Sequence, residues 1–154
     1  MFRAFVISTC LLLLLGACSS STVFEEELSI EEGIWSNEQK AVFDFEIQNT
    51  DDYYDLYIYL RNTEDYAYSN IYLFTTMYFP NGKAAVDTIE CTLADPSGNW
   101  YGSGFSGVYE NRIRFSENKA FPLTGDYRFE INQAMRDDEL SGITDVGFGI
   151  DKHE

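Results

Sequence analysis

Hydrophobic and polar side chains alternate along most of the chain after residue 40. In segment 41–48, Phe43, Phe45 and Ile47 share one face, and acidic or amide side chains lie between them. Such alternation is typical of a half-buried β-strand. The same pattern predicts further strands at 54–61, 71–79, 85–94, 108–115, 126–131 and 143–150, and an early strand near 28–35.

The spacing of these segments predicts an all-β fold. Turn signals such as Pro80-Asn81-Gly82 separate the strands at short intervals. That arrangement favours seven to nine antiparallel strands in one jelly-roll or immunoglobulin-like β-sandwich over residues 33–154. One short helix is predicted near 132–140, with Asn132 as its N-cap and Gly142 as its C-terminal stop.

The first residues follow the pattern of a bacterial export signal. Arg3 precedes an apolar run that is too short to span a bilayer, so residues 1–17 are predicted to be a signal peptide. The segment Leu15-Gly16-Ala17-Cys18 has the form of a lipobox. We therefore expect Cys18 to carry the lipid that anchors the protein in a membrane, with 18–32 as a lipidated tether.

Charge narrows the range of partners. The chain has 154 residues and a formal net charge of −16. Nucleic-acid binding is not expected, because it requires cations that replace counterions on phosphates. The same negative charge argues against electrostatic binding to anionic lipid, so the only membrane contact predicted is the lipid on Cys18.

The chain offers little catalytic chemistry. Cys10 is removed with the signal peptide and Cys18 is acylated, which leaves Cys91 alone in an alternating apolar segment. The only histidine, His153, is next to the last residue, so no base accompanies Cys91 in the sequence. We predict no catalytic residues, no cofactor and no metal site, and we interpret the acidic run 137–139 as a solvated turn.

Tyrosines are the most unusual feature of the composition. Tyr57 and Tyr59 are predicted to project away from the apolar face of their strand, and Tyr72 does the same on the next strand. Tyrosines in such positions favour contact with a partner. Together they would line a concave sheet face like that of sugar-binding sandwiches. The alternative is that loops cover this face and the rings belong to the core.

A glycine-rich loop at 98–107 contains the aromatic pair Trp100-Tyr101. Its glycines permit positive φ and close approach of backbones. This pair is the best candidate for a partner-contact hot spot, since buried Trp and Tyr dominate interface energies. The alternative is that Trp100 packs beneath the loop as a satellite of the core.

Several segments resemble one family, the GldH gliding-motility lipoproteins of Bacteroidota. The segments that carry the resemblance are 60–62, 66–74, Pro80-Asn81-Gly82 with Asp87-Thr88 and Leu93-Ala94, the loop Gly98-Asn99-Trp100-Tyr101-Gly102-Ser103-Gly104, 133–136 and Val146-Gly147-Phe148-Gly149-Ile150. The lipobox and the chain length agree with it. The resemblance implies a cell-envelope lipoprotein that is needed for gliding and has no enzymatic activity.

Two functions follow from the sequence. The first is a non-enzymatic scaffold or assembly partner of the gliding and adhesin-export machinery, with other proteins of that machinery as its partners. The alternative is a glycan-binding envelope lipoprotein that uses an aromatic sheet face. Ser19 after the lipidated cysteine favours the outer membrane, and the lack of acidic residues directly after Cys18 favours its periplasmic side.

Overall fold

The protein folds into strands, as the alternation predicts. A computed structural model describes residues 21–154, and eleven strands run through this part of the chain. They are β1 (Thr22–Ser29), β2 (Ile34–Ser36), β3 (Ala41–Ile47), β4 (Tyr53–Thr63), β5 (Asn70–Tyr78), β6 (Ala84–Thr92), β7 (Ser103–Phe105), β8 (Val108–Ala120), β9 (Gly125–Gln133), β10 (Glu139–Ser141) and β11 (Ile143–Lys152).

Two antiparallel sheets form a sandwich. The larger sheet has the order β1-β11-β4-β8-β7, and the smaller has the order β3-β9-β5-β6. A short ribbon of β2 and β10 lies beside them. The predicted all-β sandwich is therefore confirmed. The strand number exceeds the expected seven to nine because β2, β7 and β10 have only three residues each, too few to show an alternating pattern.

The core between the sheets is built around Phe148 of β11. Its ring centroid lies 4.4 Å from that of Phe129 and 5.5 Å from that of Phe45. Phe24, Phe43 and Phe115 complete the set, with centroids no more than 6.4 Å from that of Phe148. These rings come from both sheets, so their tilted contacts join the two layers.

The helix predicted near 132–140 is absent from the described residues. Strand β9 continues to Gln133, and β10 begins at Glu139, so too few residues remain for a stable helix. The buried Gln133 amide organises this turn, because it donates to the carbonyl of Asp137 and accepts from the N–H of Met135. Asn132 donates its side-chain amide to the carbonyl of Asn37 rather than capping a helix.

The predicted tether 18–32 is also corrected. Residues 22–29 form the edge strand β1, which pairs with β11 from Thr22 opposite Asp151 to Ser29 opposite Asp145. Phe24 and Leu28 pack against the core from this strand. The run of three glutamates between them hides the alternation in the sequence. The folded domain therefore begins at Thr22, eleven residues earlier than the expected boundary at 33.

The sandwich has two distinct ends. At the first, which we call the Thr22 end, Thr22 pairs with Asp151, Tyr53 pairs with Ala120, and loops 48–52 and 79–83 connect the strands. The opposite end, the Trp100 end, consists of the connections 30–40, 64–69, 93–102, 106–107 and 134–142.

Within residues 21–154, no helix has the length and apolar character required to cross a membrane.

Candidate functional site

Tyr57 and Tyr59 lie on the outer face of the larger sheet, as the alternation predicts. The Arg112 guanidinium lies 3.5 Å from the ring centroid of Tyr57. Arg112 also donates to the Tyr59 hydroxyl over 3.0 Å and to Asp151 over 2.6 Å. A cation of the same chain thus covers the face of Tyr57, in a cation–π arrangement. This ring face is not open for stacking on a sugar.

A second arginine pairs with carboxylates on the same outer face, nearer the Trp100 end. Arg61 donates to Glu110 over 2.5 Å and to Asp145 over 3.1 Å, and Glu27 lies 3.7 Å away. A shallow depression of about 280 Å³ lies between Arg61 and Arg112. Its charged groups are already paired within the chain, so it presents few unpaired groups to a ligand.

Tyr72 lies on the outer face of the smaller sheet, on the opposite side of the sandwich. Its side chain is 40% exposed, and its neighbours along β5, Phe74 and Tyr78, are 54% and 36% exposed. The structure therefore does not bring Tyr72 together with Tyr57 and Tyr59. The expectation of one concave aromatic face that combines all three is wrong, because adjacent segments of the sequence entered different sheets.

A polar cluster that the sequence did not reveal surrounds the buried carboxylate of Asp55. Ligand atoms of Asp55, Glu117 and His153 lie within 4.8 Å of one another, which is a spacing that could hold a metal ion. Arg114 already contacts Asp55 over 3.3 Å and Glu117 over 3.1 Å. Its guanidinium supplies the positive charge that the carboxylates require.

The ionisation of Asp55 reflects these contacts. Burial opposes its charged form, but the N–H of Asn118, the ring of His153 and the Arg114 guanidinium hold the pKa of Asp55 below its usual value. The His153 Nδ1 atom lies 2.9 Å from the carboxylate. His153 therefore fixes the C-terminal segment against β4, far along the strands from Cys91.

Cys91 is a core residue. Its side chain is fully buried on β6, and burial raises the pKa of its thiol to about 12. A reactive cysteine requires a lowered pKa and access to solvent. The prediction of a small buried apolar residue is confirmed for Cys91.

The Trp100-Tyr101 loop is shaped by its glycines. Gly98 and Gly107 have φ of 88° and 79°, in the left-handed region that favours glycine. A Cβ on Gly102 would lie 2.8 Å from the carbonyl oxygen of Glu110, and one on Gly104 would overlap the backbone of Val108. The loop can therefore lie flat against β8 only with glycine at these positions.

The structure separates the two aromatic residues of this loop. Trp100 forms an isolated β-bridge with Ala94 and is half-buried, with its ring 5.7 Å from that of Tyr109 and 6.4 Å from that of Tyr66. Tyr101 is 62% exposed. Trp100 thus packs as a partly buried satellite of the core, whereas Tyr101 faces solvent.

Phe105, which the sequence analysis did not select, is the most exposed aromatic residue described. It lies on β7 next to the turn at Ser106-Gly107, and it is 91% exposed. The available signal was its position at a hairpin tip between two glycines, Gly104 and Gly107. A phenylalanine there cannot reach the core.

Acidic groups accompany the aromatic residues at this end. The Tyr68 hydroxyl donates to Asp137 over 2.6 Å, and the Tyr109 hydroxyl donates to Glu64 over 3.4 Å. The ring of Tyr68 lies 5.8 Å from that of Tyr66, which in turn contacts Trp100. We give the name Trp100-end surface to these residues together with Tyr101 and Phe105 of the same end: Glu64, Tyr68, Trp100, Tyr101, Phe105, Tyr109 and Asp137.

Comparison with known proteins decides the family. The sequence model of the GldH lipoprotein family matches residues 22–150, nearly all of the described domain. The chain belongs to the GldH lipoprotein family. The matched region starts at the first residue of β1, in agreement with the start of the folded domain at Thr22.

Two curated proteins support this assignment. A gliding motility lipoprotein GldH homolog of Christiangramia forsetii is 40% identical over 152 residues, which covers 93% of this chain and 91% of that protein. The gliding motility lipoprotein GldH of Flavobacterium johnsoniae is 32% identical over 149 residues, 92% of each chain. A solved structure of infectious bursal disease virus, strain Gx, superposes with a TM-score of 0.33 and 13% identity, covering 87% of this chain and 30% of that one. This likeness is too weak to bear on fold or function.

Proposed function

We propose that this GldH-family chain is a lipid-anchored gliding-motility lipoprotein that acts as a non-enzymatic scaffold or assembly partner of the gliding and adhesin-export machinery. The observation that carries the proposal is the family match over residues 22–150, together with two relatives whose names state gliding motility. The partners are other proteins of that machinery.

The anchor in this proposal is a lipid on Cys18, which lies outside the described residues together with the signal peptide at 1–17. Each buried methylene contributes about 0.8 kcal/mol, so two or three acyl chains on one residue hold a protein at the membrane essentially permanently. We assign the protein to the outer membrane, facing the periplasm, because Ser19 follows the cysteine and acidic residues come only later.

Two groups that could have formed a catalytic or metal site are instead part of the folded structure, which supports a non-enzymatic role. Cys91 is buried, and its pKa is raised to about 12, so its thiol is a poor nucleophile. The carboxylates around Asp55 are engaged by Arg114 and His153. The exposed aromatic side chains of the Trp100 end, Tyr101 and Phe105, are in contrast of the type that is enriched at protein interfaces.

Lipidation is tested by a matched pair of cysteine variants in the source bacterium. Cys18→Ala should lose metabolic labelling with an alkyne fatty acid, leave the outer membrane and abolish colony spreading. Cys10→Ala, in the predicted signal peptide, should keep all three. Persistent fatty-acid label on Cys18→Ala would refute the anchor. Normal spreading of a strain that lacks the gene would refute the motility role.

A further inference from the structure

The lipid anchor and the folded domain are separated by very little chain. The carbonyl of Ser21 already accepts a hydrogen bond from the N–H of Lys152 over 2.7 Å, so the chain is held to β11 one residue before β1 begins. An extended chain spans at most about 3.6 Å per residue, which limits the distance from Cys18 to Ser21 to about 11 Å. If Cys18 is lipidated, as proposed above, the Thr22 end lies against the membrane.

The opposite end therefore faces away from the bilayer. Strand β4 runs from Tyr53 at the Thr22 end to Thr63 at the Trp100 end. Its eleven residues extend about 35 Å at the usual rise of a strand. With one end held near the headgroups, the Trp100-end surface is presented to proteins in the surrounding compartment rather than to lipid.

The connections at the Trp100 end are more acidic than loops 48–52 and 79–83 of the Thr22 end, which contain Asp51, Asp52 and Lys83. The connections at the Trp100 end contain nine carboxylates, and these are Glu31, Glu32, Glu38, Glu64, Asp65, Asp95, Asp137, Asp138 and Glu139. The only cations in the same connections are Lys40 and Arg136. Of the four lysines in the described residues, the other three, Lys83, Lys119 and Lys152, lie at the Thr22 end.

Aromatic and acidic side chains are interleaved on the exposed surface. Asp137 contacts Tyr68, and Glu64 contacts Tyr109. Tyr101 and Phe105 belong to the same end of the sandwich and are 62% and 91% exposed. Aromatic faces attract cations, and carboxylates form charge-assisted hydrogen bonds with arginine and lysine. This combination of groups suits the binding of cationic side chains.

We propose that the Trp100-end surface docks an arginine- and lysine-rich segment of a partner protein, with Tyr101 and Phe105 as its exposed anchors. Charge complementarity favours this partner over the alternatives. A second copy of the chain would bring nine carboxylates against nine, and like charges oppose such an interface. An anionic membrane would be repelled in the same way.

A defined probe tests the surface directly. The full mature protein, purified with its lipid, is reconstituted in phosphatidylcholine vesicles, which carry no net charge to attract the probe. The probe is a fluorescein-labelled peptide of alternating arginine and glycine, and its binding is measured by anisotropy at physiological salt. Flotation of the protein with the vesicles reports the anchor separately, so a failed anchor and a failed surface give different results.

Matched variants distinguish binding of the peptide at the Trp100-end surface from general electrostatic attraction to an acidic protein. The Trp100-end triple Glu64→Gln, Asp65→Asn, Asp137→Asn and the Thr22-end triple Asp51→Asn, Asp126→Asn, Glu154→Gln remove the same charge from exposed positions. We expect the first triple to weaken binding about fivefold and the second to change it less than about twofold. Equal weakening by both triples would overturn the proposal.

The aromatic anchors are tested with a second matched pair. Tyr101→Ser with Phe105→Ser should weaken binding about fivefold, since a cation–π contact at an exposed site contributes about 0.5–1 kcal/mol. Tyr53→Ser with Val23→Ser, at the Thr22 end, removes side chains that are 51% and 48% exposed and should have no effect. Unchanged binding in the first pair would show that Tyr101 and Phe105 are not contact residues.

Discussion

The backbone of Tyr59 pairs with Gly147 of the neighbouring strand, and the Tyr59 ring extends diagonally over Gly149. A Cβ built on Gly149 would approach the ring Cε2 of Tyr59 to 2.6 Å and its hydroxyl oxygen to 2.8 Å. On the same strand, a Cβ on Gly147 would lie 2.7 Å from the Glu27 side chain. The segment Gly147-Phe148-Gly149 thus has two roles, since Phe148 organises the core while the glycines leave space for Tyr59 and Glu27 on the outer face.

We predict that Gly149→Ala destabilises the domain by about 1–3 kcal/mol, because the added methyl overpacks the site under Tyr59. The cost should fall below about 1 kcal/mol in a Tyr59→Ala background, where the ring is absent. Urea unfolding of the four proteins in this cycle measures the coupling. The same cost in both backgrounds would mean that Tyr59 does not occupy this space.

Asp55 should make stability depend on pH. Its pKa is lowered in the folded state, so its contribution is present above about pH 4 and is lost as the pH falls through the folded pKa. We expect Asp55→Asn to lower the free energy of unfolding by about 1–2 kcal/mol at neutral pH. The reason is that Arg114, His153 and the Asn118 N–H would then face a neutral amide instead of a carboxylate. The difference in free energy of unfolding between Asp55→Asn and the wild-type protein should decrease at acidic pH.

Urea unfolding across this pH range checks the expectation for Asp55, and Asp51→Asn on an exposed loop is the control. A cost for Asp55→Asn that is independent of pH would contradict the role assigned to its charge.

Cys91 should react only when the protein unfolds. We expect a thiol reagent to label the native domain slowly and the urea-unfolded domain completely, because Cys91 is buried and its pKa is raised to about 12. Cys91→Ser should cost about 1–3 kcal/mol for burying a hydroxyl and should leave gliding intact. A folded Cys91→Ser variant that cannot glide would show that the thiol has a function.

Trp100 and Tyr101 should differ in their contributions to stability. Trp100 is half-buried against Tyr66 and Tyr109, so Trp100→Ala should cost about 2–3 kcal/mol, less than the roughly 3–5 kcal/mol of a fully buried tryptophan. Tyr101→Ala should stay within about 0.5 kcal/mol, because Tyr101 is largely exposed. Thermal unfolding compares the two variants. A larger loss of stability for Tyr101→Ala than for Trp100→Ala would contradict the assignment.

Alternation was sufficient to locate the long strands. Segments such as 41–48 and 71–79 correspond to β3 (Ala41–Ile47) and β5 (Asn70–Tyr78) almost residue for residue, because one face of each strand is buried. Strand β1 was missed because Glu25, Glu26 and Glu27 occur in succession at a sheet edge. Edge strands expose both faces in part, so the burial that produces alternation is weak there.

The candidate site was only partly visible in the sequence. Alternation assigned Tyr57, Tyr59 and Tyr72 to outer faces, but it carries no information about which sheet a strand joins. The ring of Tyr57 is covered by Arg112, which is 55 residues further along the chain, and such contacts arise only from strand order. Phe105 was missed because a single exposed aromatic residue in a glycine-rich loop produces no periodic signal.

The central claim is that the chain acts by contact, held to the membrane at its Thr22 end and engaging a partner at its Trp100 end. The most direct measurement is gliding of the source bacterium with Tyr101→Ser and Phe105→Ser combined, against Tyr53→Ser and Val23→Ser as the control. Immunoblots of membrane fractions confirm equal amounts of anchored protein. We predict that the first strain stops gliding and the control glides normally. Normal gliding of the first strain, with its protein present at the membrane, would contradict the account.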